Sequence, residues 1–171
     1  MNHNQIINSI LKRSSIRQYK KEEISDGLIN TILDTGRYAP SGLNNQPWRF
    51  SIIKNEKLKT EIAELTKYKR IVLECNTCIA VFYNIPAGYN RDKDLMSIGA
   101  CIENMLLAAH ALGIGGVWLG EILNKKEEVS RLLQVNEENE LAAVIALGYP
   151  EKSETRKSRI DLESLILNSY Y

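Results

Sequence analysis

The sequence is short of cysteine, net charge and long hydrophobic runs, and each shortage excludes a class of protein. Three cysteines among 171 residues are too few, and odd in number, for a disulfide-stabilised scaffold. This low cysteine content favours a protein of a reducing compartment. No apolar stretch approaches the roughly 20 residues that a membrane-spanning helix needs. Residues 1–12 also lack the continuous apolar core of a secretory signal. We therefore expect a cytoplasmic protein that has no membrane partner.

Charges of the two signs almost cancel, with 22 Lys and Arg against 21 Asp and Glu and a formal net charge of +1. Such a balance offers no global attraction to nucleic acid, so we expect no nucleic-acid partner. With 44% hydrophobic residues, the chain is long enough for one domain with a core and short for two. Because no repeat or Pro/Ser-rich linker interrupts it, residues 1–171 are predicted to form a single domain.

Apolar residues recur at helical spacing in several segments, and short apolar runs between them predict strands. The predicted helices are 6–11, 24–36 with Ser25 or Asp26 at its start, 57–69 as a charged surface helix, 98–112 ending at Gly113, and 125–133. The predicted strands are 49–53, 79–83, 117–119 and 141–147. Apolar and small residues lie on several faces of the 98–112 helix, so more than one face should be packed. Alternating strands and helices indicate an α/β or α+β fold.

Three polar segments have no obvious structural task, and the first is 12–19. Arg13 and Arg17 are four residues apart, so on a helical turn they would share a face and could grip one anion together. Ser14 and Ser15 add hydroxyl donors that suit a phosphate oxygen. The segment taken alone favours the alternative, a solvated basic helix end followed by a turn.

The other two segments are 39–50 and 152–159. The first is an irregular loop with neighbouring Asn44, Asn45 and Gln46, whose amides carry the donors and acceptors needed to read the edge of a heterocycle. Equally, it could be a capped turn in which Trp48 fills the core. The second is a basic run, which is usually a solvated connector. If it folds back beside the first segment, it completes a pocket for a dianion.

Several other features point away from chemistry performed by the protein alone. Cys75 and Cys78 form a CxxC with no second pair for zinc, and two small buried residues are the simpler interpretation. His110 lies in a predicted helix, where a structural histidine is the default. The Gly113–Gly116 run lacks dinucleotide-binding spacing and precedes a strand. With no nucleophile or metal cluster, a bound cofactor would have to supply any difficult chemistry.

Four motifs in order resemble the FMN-dependent nitroreductase family. They are Arg-Ser-Ser-Ile-Arg-x-Tyr at 13–19, Ala-Pro-Ser-Gly-Leu-Asn-Asn-Gln-Pro-Trp at 39–48, Gly-Ile-Gly-Gly-Val-Trp-Leu-Gly at 113–120, and Leu-Gly-Tyr-Pro at 147–150 followed by Lys-Ser-Arg at 157–159. The resemblance runs from about residue 6 to residue 166. It implies an α+β fold, with a central mostly antiparallel sheet surrounded by helices, built as an intertwined homodimer. Two FMN sites would lie at the interface and take residues from both chains.

The resemblance also implies roles for particular residues. Arg13 and Ser15 match phosphate ligands, Ser14 stands where a basic or polar residue is more usual, and Arg17 would face the flavin pyrimidine edge. The loop that reaches the flavin from the partner chain corresponds to Pro40, Ser41, Asn44 and Gln46. The segment over the isoalloxazine, where a backbone N–H points at N5, corresponds to Leu119, Gly120 and Glu121. The basic pair on the phosphate corresponds to Lys157 and Arg159.

Two departures from the longer members of the family bear on function. Residues 85–95 are all that remains of a helical excursion that covers the site in those members. A further cation near flavin O2 has no certain counterpart, although Lys69 or Arg70 could supply it.

The implied activity is that of an NAD(P)H-dependent flavin oxidoreductase. NADH or NADPH would reduce FMN by hydride transfer to N5, and the flavin would then reduce a small nitroaromatic, quinone or enone acceptor in a ping-pong cycle. One alternative, suggested by the short 85–95 segment, is a flavin-binding or flavin-handling protein with negligible NAD(P)H activity. Another is a dimer whose site is degenerate, although four retained cations argue against it.

Overall fold

The structure is a computed structural model, and it describes residues 3–152 and 158–171 of the chain. Its α-helices are α1 (His3–Lys12), α2 (Asp26–Gly36), α3 (Glu56–Ala63), α4 (Lys69–Glu74), α5 (Arg91–Ala111) and α6 (Lys126–Leu132). Its strands are β1 (Trp48–Ile53), β2 (Thr77–Asn84), β3 (Gly115–Leu119) and β4 (Asn139–Gly148). Short 3₁₀ turns cover Gly42–Asn44, Ile85–Ala87, Glu121–Lys125 and Leu162–Leu165. All four predicted strands are present.

The four strands form one antiparallel sheet in the order β1-β2-β4-β3. β2 and β4 are the central pair, while β1 and β3 lie on opposite sides of it. Trp48 at the start of β1 pairs with Tyr83, and Leu119 at the end of β3 pairs with Val144. An α+β fold with a mostly antiparallel sheet surrounded by helices is thereby confirmed.

Helices cover both faces of the sheet because the central strands are apolar on both sides. Along β2, Cys78 and Phe82 belong to a core that includes residues of α3, α4 and α6. The alternate residues Ile79 and Val81 belong to a second core, with residues of α2 and α5. Successive side chains of a strand point to opposite faces, so a continuous apolar run predicts this double burial.

Three helices begin at polar residues that cap them. The side chains of Ser25, Asn55 and Asn90 each accept a hydrogen bond from the backbone N–H three residues further on, at the starts of α2, α3 and α5. Such caps satisfy backbone donors that have no partner within the helix. α5 ends before Gly113, whose φ of +76° is the left-handed conformation that glycine adopts easily.

The predicted surface helix over 57–69 is wrong in extent. α3 ends at Ala63, and a new helix begins only at Lys69. The intervening chain hydrogen-bonds to Glu121, whose carboxylate accepts from the Thr66 hydroxyl at 2.7 Å and from the Lys67 N–H at 3.1 Å. This contact is distant in sequence, so local periodicity does not reveal it.

The long helix begins earlier than its apolar pattern predicts. α5 has 21 residues and starts at Arg91 rather than near Ile98. Residues 85–95 therefore consist of a 3₁₀ turn, a short connection and the first turn of α5. Within residues 3–152 and 158–171, no helix has the combined length and apolar character needed to cross a membrane.

The segment after α1 lies along the edge of β3. Ser15 forms a parallel bridge with Gly116, and the Ile16 N–H donates to the Gly116 carbonyl at 3.1 Å. The Ile16 side chain packs so closely on Gly115 that a Cβ built there would lie 2.7 Å from the Ile16 Cβ. Close approach at Gly115 thus fixes where the N-terminal basic motif runs.

We expect Gly115→Ala to lower the free energy of unfolding by about 1–3 kcal/mol, since the added methyl overlaps the buried Ile16 side chain. Urea denaturation followed by circular dichroism measures the change. The matched control is Gly27→Ala in α2, where the new Cβ meets nothing within 4 Å. That control should leave stability unchanged or raise it by up to ~1 kcal/mol. Equal midpoints for both variants would contradict the packing described at Gly115.

Candidate functional site

The N-terminal basic motif leaves α1 and becomes extended. The Arg13 N–H donates to the Ser9 carbonyl at 2.9 Å, which closes α1, and Ser15 then joins the edge of β3. Arg13 and Arg17 therefore do not share one face of a helical turn, and the segment is a helix end followed by extended chain, closer to the alternative that the segment alone favours. Arg17 is exposed, and its guanidinium donates to the Ser15 carbonyl at 3.1 Å.

Arg13 lies in a cleft of about 390 Å³ between the N-terminal segment, α5 and the start of β3. Ser14, His110 and Lys152 also line this cleft, so it joins the first polar segment to the beginning of the third. The Arg13 Nε is 3.4 Å from a carboxylate oxygen of Glu103 on α5. That nitrogen is buried, yet it has no hydrogen-bond partner in the described part of the chain. The cleft is thus lined by a cation that also forms an ion pair with Glu103.

The second polar segment forms a loop in a strained conformation. Leu43, Asn44 and Gln46 have positive φ angles of 53°, 56° and 46°, a region that side-chain-bearing residues rarely adopt. The Ser41 hydroxyl accepts from the Gln46 N–H at 3.1 Å and so closes the loop. The predicted residues Pro40, Asn44 and Gln46 are exposed here. Such strain is typical of segments held in place for a ligand.

Asp94 anchors this loop to the first turn of α5. The Asn45 amide donates to one Asp94 oxygen at 2.7 Å. The other oxygen accepts from the N–H groups of Tyr89 and Asn90 at 2.9 and 3.1 Å and from the Tyr83 hydroxyl at 3.3 Å. Burial by itself would raise the pKa of Asp94, but these hydrogen bonds favour the carboxylate and hold the pKa below its usual value.

The third group of predicted residues follows the end of β3. Leu119 is buried, Gly120 is exposed, and Glu121 begins a 3₁₀ turn. The Thr66 hydroxyl and the Lys67 N–H hydrogen-bond to Glu121 and lower its pKa. The Glu121 side chain therefore holds the chain between α3 and α4, while its backbone remains at the edge of the sheet.

The C-terminal basic pair is described only in part. Lys157 lies outside the described residues. Arg159 is exposed and donates to the Ser158 carbonyl at 3.4 Å. The chain before this pair is fixed, since the Glu151 N–H donates to the Gln18 carbonyl at 3.0 Å, which brings Lys152 to the cleft of Arg13.

The predicted residues fall into two groups at opposite edges of the sheet. Arg13, Ser15 and Leu119 lie at β3, whereas the loop that ends in Gln46 leads into β1. Three strand spacings of about 4.8 Å separate these edges, or roughly 14 Å. α5 repeats the division. It contacts the loop through Asp94, and it contacts Arg13 through Glu103, which lies nine positions later or about 13 Å along the helix. Within residues 3–152 and 158–171, a single chain leaves the two groups at opposite edges of the sheet.

Sequence reasoning missed the residues that orient the site. Asp94 looks like any acid near the start of a helix. Asn45 is grouped with the amides that could read a heterocycle, but its amide nitrogen donates to Asp94 instead. His110, interpreted as structural, lines the Arg13 cleft.

Trp48 is buried, as the capped-turn alternative requires. Lys69 and Arg70 pair with Glu64 and Glu74, and the described residues contain no group of three potential metal ligands.

We expect Asp94→Asn to lower the free energy of unfolding at pH 7 by about 2 kcal/mol or more, since an amide NH₂ would face groups that donate to the carboxylate. The folded pKa is depressed, so this stabilisation is present above the unfolded pKa of about 3.9 and is lost as the pH falls below it. Urea midpoints at pH 7 and near pH 3 measure both effects.

The control is Asp92→Asn, an exposed acid in the same helical turn, which should change stability by less than about 1 kcal/mol. A wild-type advantage over Asp94→Asn that persists undiminished at the lower pH would contradict the role of the carboxylate.

The chain matches the model of the Nitroreductase family over residues 10–69 and 63–149. A crystal structure from Desulfovibrio desulfuricans, of a protein assigned as a nitroreductase in complex with FMN, is 40% identical, with a TM-score of 0.94 and 99% of each chain covered. A Methanothermobacter thermautotrophicus protein assigned as an NADH dehydrogenase/NAD(P)H nitroreductase is 30% identical over 96% of this chain and 87% of its own length. The NADPH-flavin oxidoreductase of Vibrio harveyi is 28% identical over 98% of this chain and 75% of its own. This chain therefore belongs to the nitroreductase family.

Proposed function

We propose that the protein is an FMN-dependent oxidoreductase that takes its electrons from NADH or NADPH. The observation that carries the proposal is the Arg13 cleft, which a guanidinium group lines together with polar residues that follow the last strand. Ser14 and Lys152 line the same cleft, and a cation beside hydroxyl donors suits a phosphate group. FMN carries such a phosphate, and the 40%-identical structure holds FMN.

Residues near both ends of the chain would bind the phosphate. Arg13, Ser14 and Ser15 would donate from the N-terminal segment, and Lys157 and Arg159 would add two cations. Arg17, exposed at the same edge, would face the flavin pyrimidine ring, where a cation stabilises negative charge. Bound FMN would supply the redox chemistry, accepting hydride at N5 and passing electrons to a small nitroaromatic, quinone or enone.

The end of β3 would orient the flavin ring through its backbone. Gly120 and Glu121 stand at the start of a 3₁₀ turn, where backbone N–H groups have no partner within the turn. The hydrogen bonds from Thr66 and Lys67 to the Glu121 side chain fix this turn. A fixed N–H donor at N5 would position the ring without any acid–base pair.

A second copy of the chain would complete the site as a homodimer. The loop with Pro40, Ser41, Asn44 and Gln46 lies across the sheet from the Arg13 cleft, so it would contact the flavin bound mainly by the partner. Large apolar side chains on the surface support such a partner. They are Ile6, Ile7, Ile10 and Leu11 of α1 and Ile160, Leu162, Leu165, Ile166 and Leu167 near the C-terminus.

The second candidate is a flavin-handling protein with negligible NAD(P)H activity. The short 85–95 segment favours it, because only a 3₁₀ turn and one helical turn occupy the place of a longer excursion. A more open flavin would be accessible to a protein partner or to a second flavin.

We expect NADH or NADPH to bleach the visible absorbance of the FMN-loaded protein under anaerobic conditions, since hydride transfer reduces the flavin. Stopped-flow absorbance measures the rate, and a nitroaromatic or a quinone added afterwards should restore the colour. Absence of bleaching with either nucleotide, while dithionite still bleaches the flavin, would favour the flavin-handling role.

We expect a heterodimer of Arg13→Ala and Asn44→Gly chains to bind one FMN, whereas each parent homodimer binds almost none. If each site takes Arg13 from one chain and Asn44 from the other, the heterodimer has one intact site and one doubly defective site. Gly is chosen at position 44 because it tolerates the positive φ. Two different affinity tags isolate the heterodimer, and flavin absorbance per chain gives the occupancy.

The control is a heterodimer of Lys125→Ala and Asn44→Gly chains. Lys125 is exposed and pairs with Glu128, away from the cleft, so its variant should retain normal FMN occupancy as a homodimer. A heterodimer of Arg13→Ala and Asn44→Gly that binds no FMN would mean that both residues serve the same site from the same chain.

A further inference from the structure

Cys75 and Cys78 form a close thiol pair that the proposed flavin site does not use. Cys75 follows α4, Cys78 is in β2, and their sulfur atoms are 3.3 Å apart. Both residues are buried, with exposed fractions of 1% and 0%. A disulfide needs the sulfurs at about 2.05 Å, so small side-chain rotations would close the gap.

A buried lysine accompanies this pair. Lys59 of α3 is 2% exposed, and its ammonium donates to the Cys75 carbonyl at 2.7 Å and pairs with a Glu56 carboxylate oxygen at 2.9 Å. Lysine is rarely buried to this extent. The ammonium is hydrogen-bonded to the backbone of Cys75, and its charge favours the Cys75 thiolate while the Glu56 carboxylate opposes it.

A cleft reaches the residue Cys75, whereas Cys78 is not among the residues that line it. A cleft of about 780 Å³ opens between α3, α4 and the chain before α2, and Lys59, Cys75 and Asn76 are among the residues that line it. Cys75 therefore contributes to the wall of this cleft, although its side chain is buried.

The third cysteine provides an internal contrast. Cys101 lies in the middle of α5 and is fully buried, and burial raises the pKa of its thiol to about 12. For Cys75, the hydrogen bond with the Cys78 thiol outweighs burial, and the Lys59 charge adds to it, so the pKa of Cys75 is lowered. The pKa of Cys78 is raised, since it holds its proton for that hydrogen bond.

We propose that Cys75 and Cys78 are a dithiol site that hydrogen peroxide oxidises reversibly to an internal disulfide. In the first step the Cys75 thiolate attacks a peroxide oxygen. An S–O bond forms, the O–O bond breaks, and the leaving hydroxide takes up the proton that Cys75 gave up, which yields water. In the second step the Cys78 sulfur attacks the Cys75 sulfur. The S–S bond forms, the S–O bond breaks, and hydroxide leaves with the Cys78 proton as a second water. Two electrons pass from the sulfurs to the peroxide.

The role of this bond is chemical rather than structural. It would close a loop of only four residues, 75–78, and the constraint that a disulfide places on the unfolded chain is smallest for short loops. Rapid capture by Cys78 also protects Cys75 from further, irreversible oxidation to sulfinic acid.

The test treats the purified wild-type protein with hydrogen peroxide, blocks the remaining thiols with N-ethylmaleimide in denaturant, and follows each cysteine by mass spectrometry. We expect Cys75 and Cys78 to be oxidised at least ~10-fold faster than Cys101. The peptide that contains the oxidised pair should be two hydrogen atoms lighter and carry no N-ethylmaleimide label. Dithiothreitol should restore both thiols. Circular dichroism before the denaturant is added shows that the protein stays folded.

Two single variants separate the roles of the sulfurs. In Cys78→Ser, Cys75 should form a sulfenic acid that dimedone traps; in Cys75→Ser, Cys78 should react at the slow rate of Cys101. The proposal is overturned if the folded wild-type protein keeps both thiols while Cys101 oxidises, if all three react at one rate, or if Cys78 reacts first.

Discussion

The pairing of β2 with β4 is the constraint on which the remaining structure depends. Both strands are buried on both faces, so they form the centre of the sheet and leave β1 and β3 at its sides. The N-terminal basic motif adds to β3 at one side, and the strained loop leads into β1 at the other. The buried pair thus determines how far apart the two halves of the candidate site lie in one chain.

Features that depend on local pattern could be predicted from the sequence. The continuous apolar runs of β2 and β4 indicate central strands because no polar face is left for solvent, and Ser25 marks the start of α2 as a side-chain cap. The motifs that contain Arg13 and Asn44 could be found by resemblance, since the type and order of their residues are themselves the signal. The roles of residues whose hydrogen-bond partners are distant in the sequence could not be predicted.

Two residues illustrate that limit. Glu121 accepts from the Lys67 N–H in the chain between α3 and α4, and no helical period contains this contact. Asp94 resembles a solvent-facing acid that favours a helix start, yet it is fully buried and holds Asn45. In both cases one carboxylate satisfies backbone donors of another segment, and only the folded chain shows which segment. The positions of the segments that form the candidate site depend on these long-range hydrogen bonds rather than on the motifs themselves.

The separation of the loop from the Arg13 cleft has a consequence for how such a protein responds to dilution. A cofactor that needs donors from two chains is linked by mass action to their association: each binding event favours the other, with a reciprocal coupling free energy. The apparent affinity for flavin would then depend on protein concentration, and subunits diluted below their dissociation constant would release it. Cofactor content would thus report the association state of the chain.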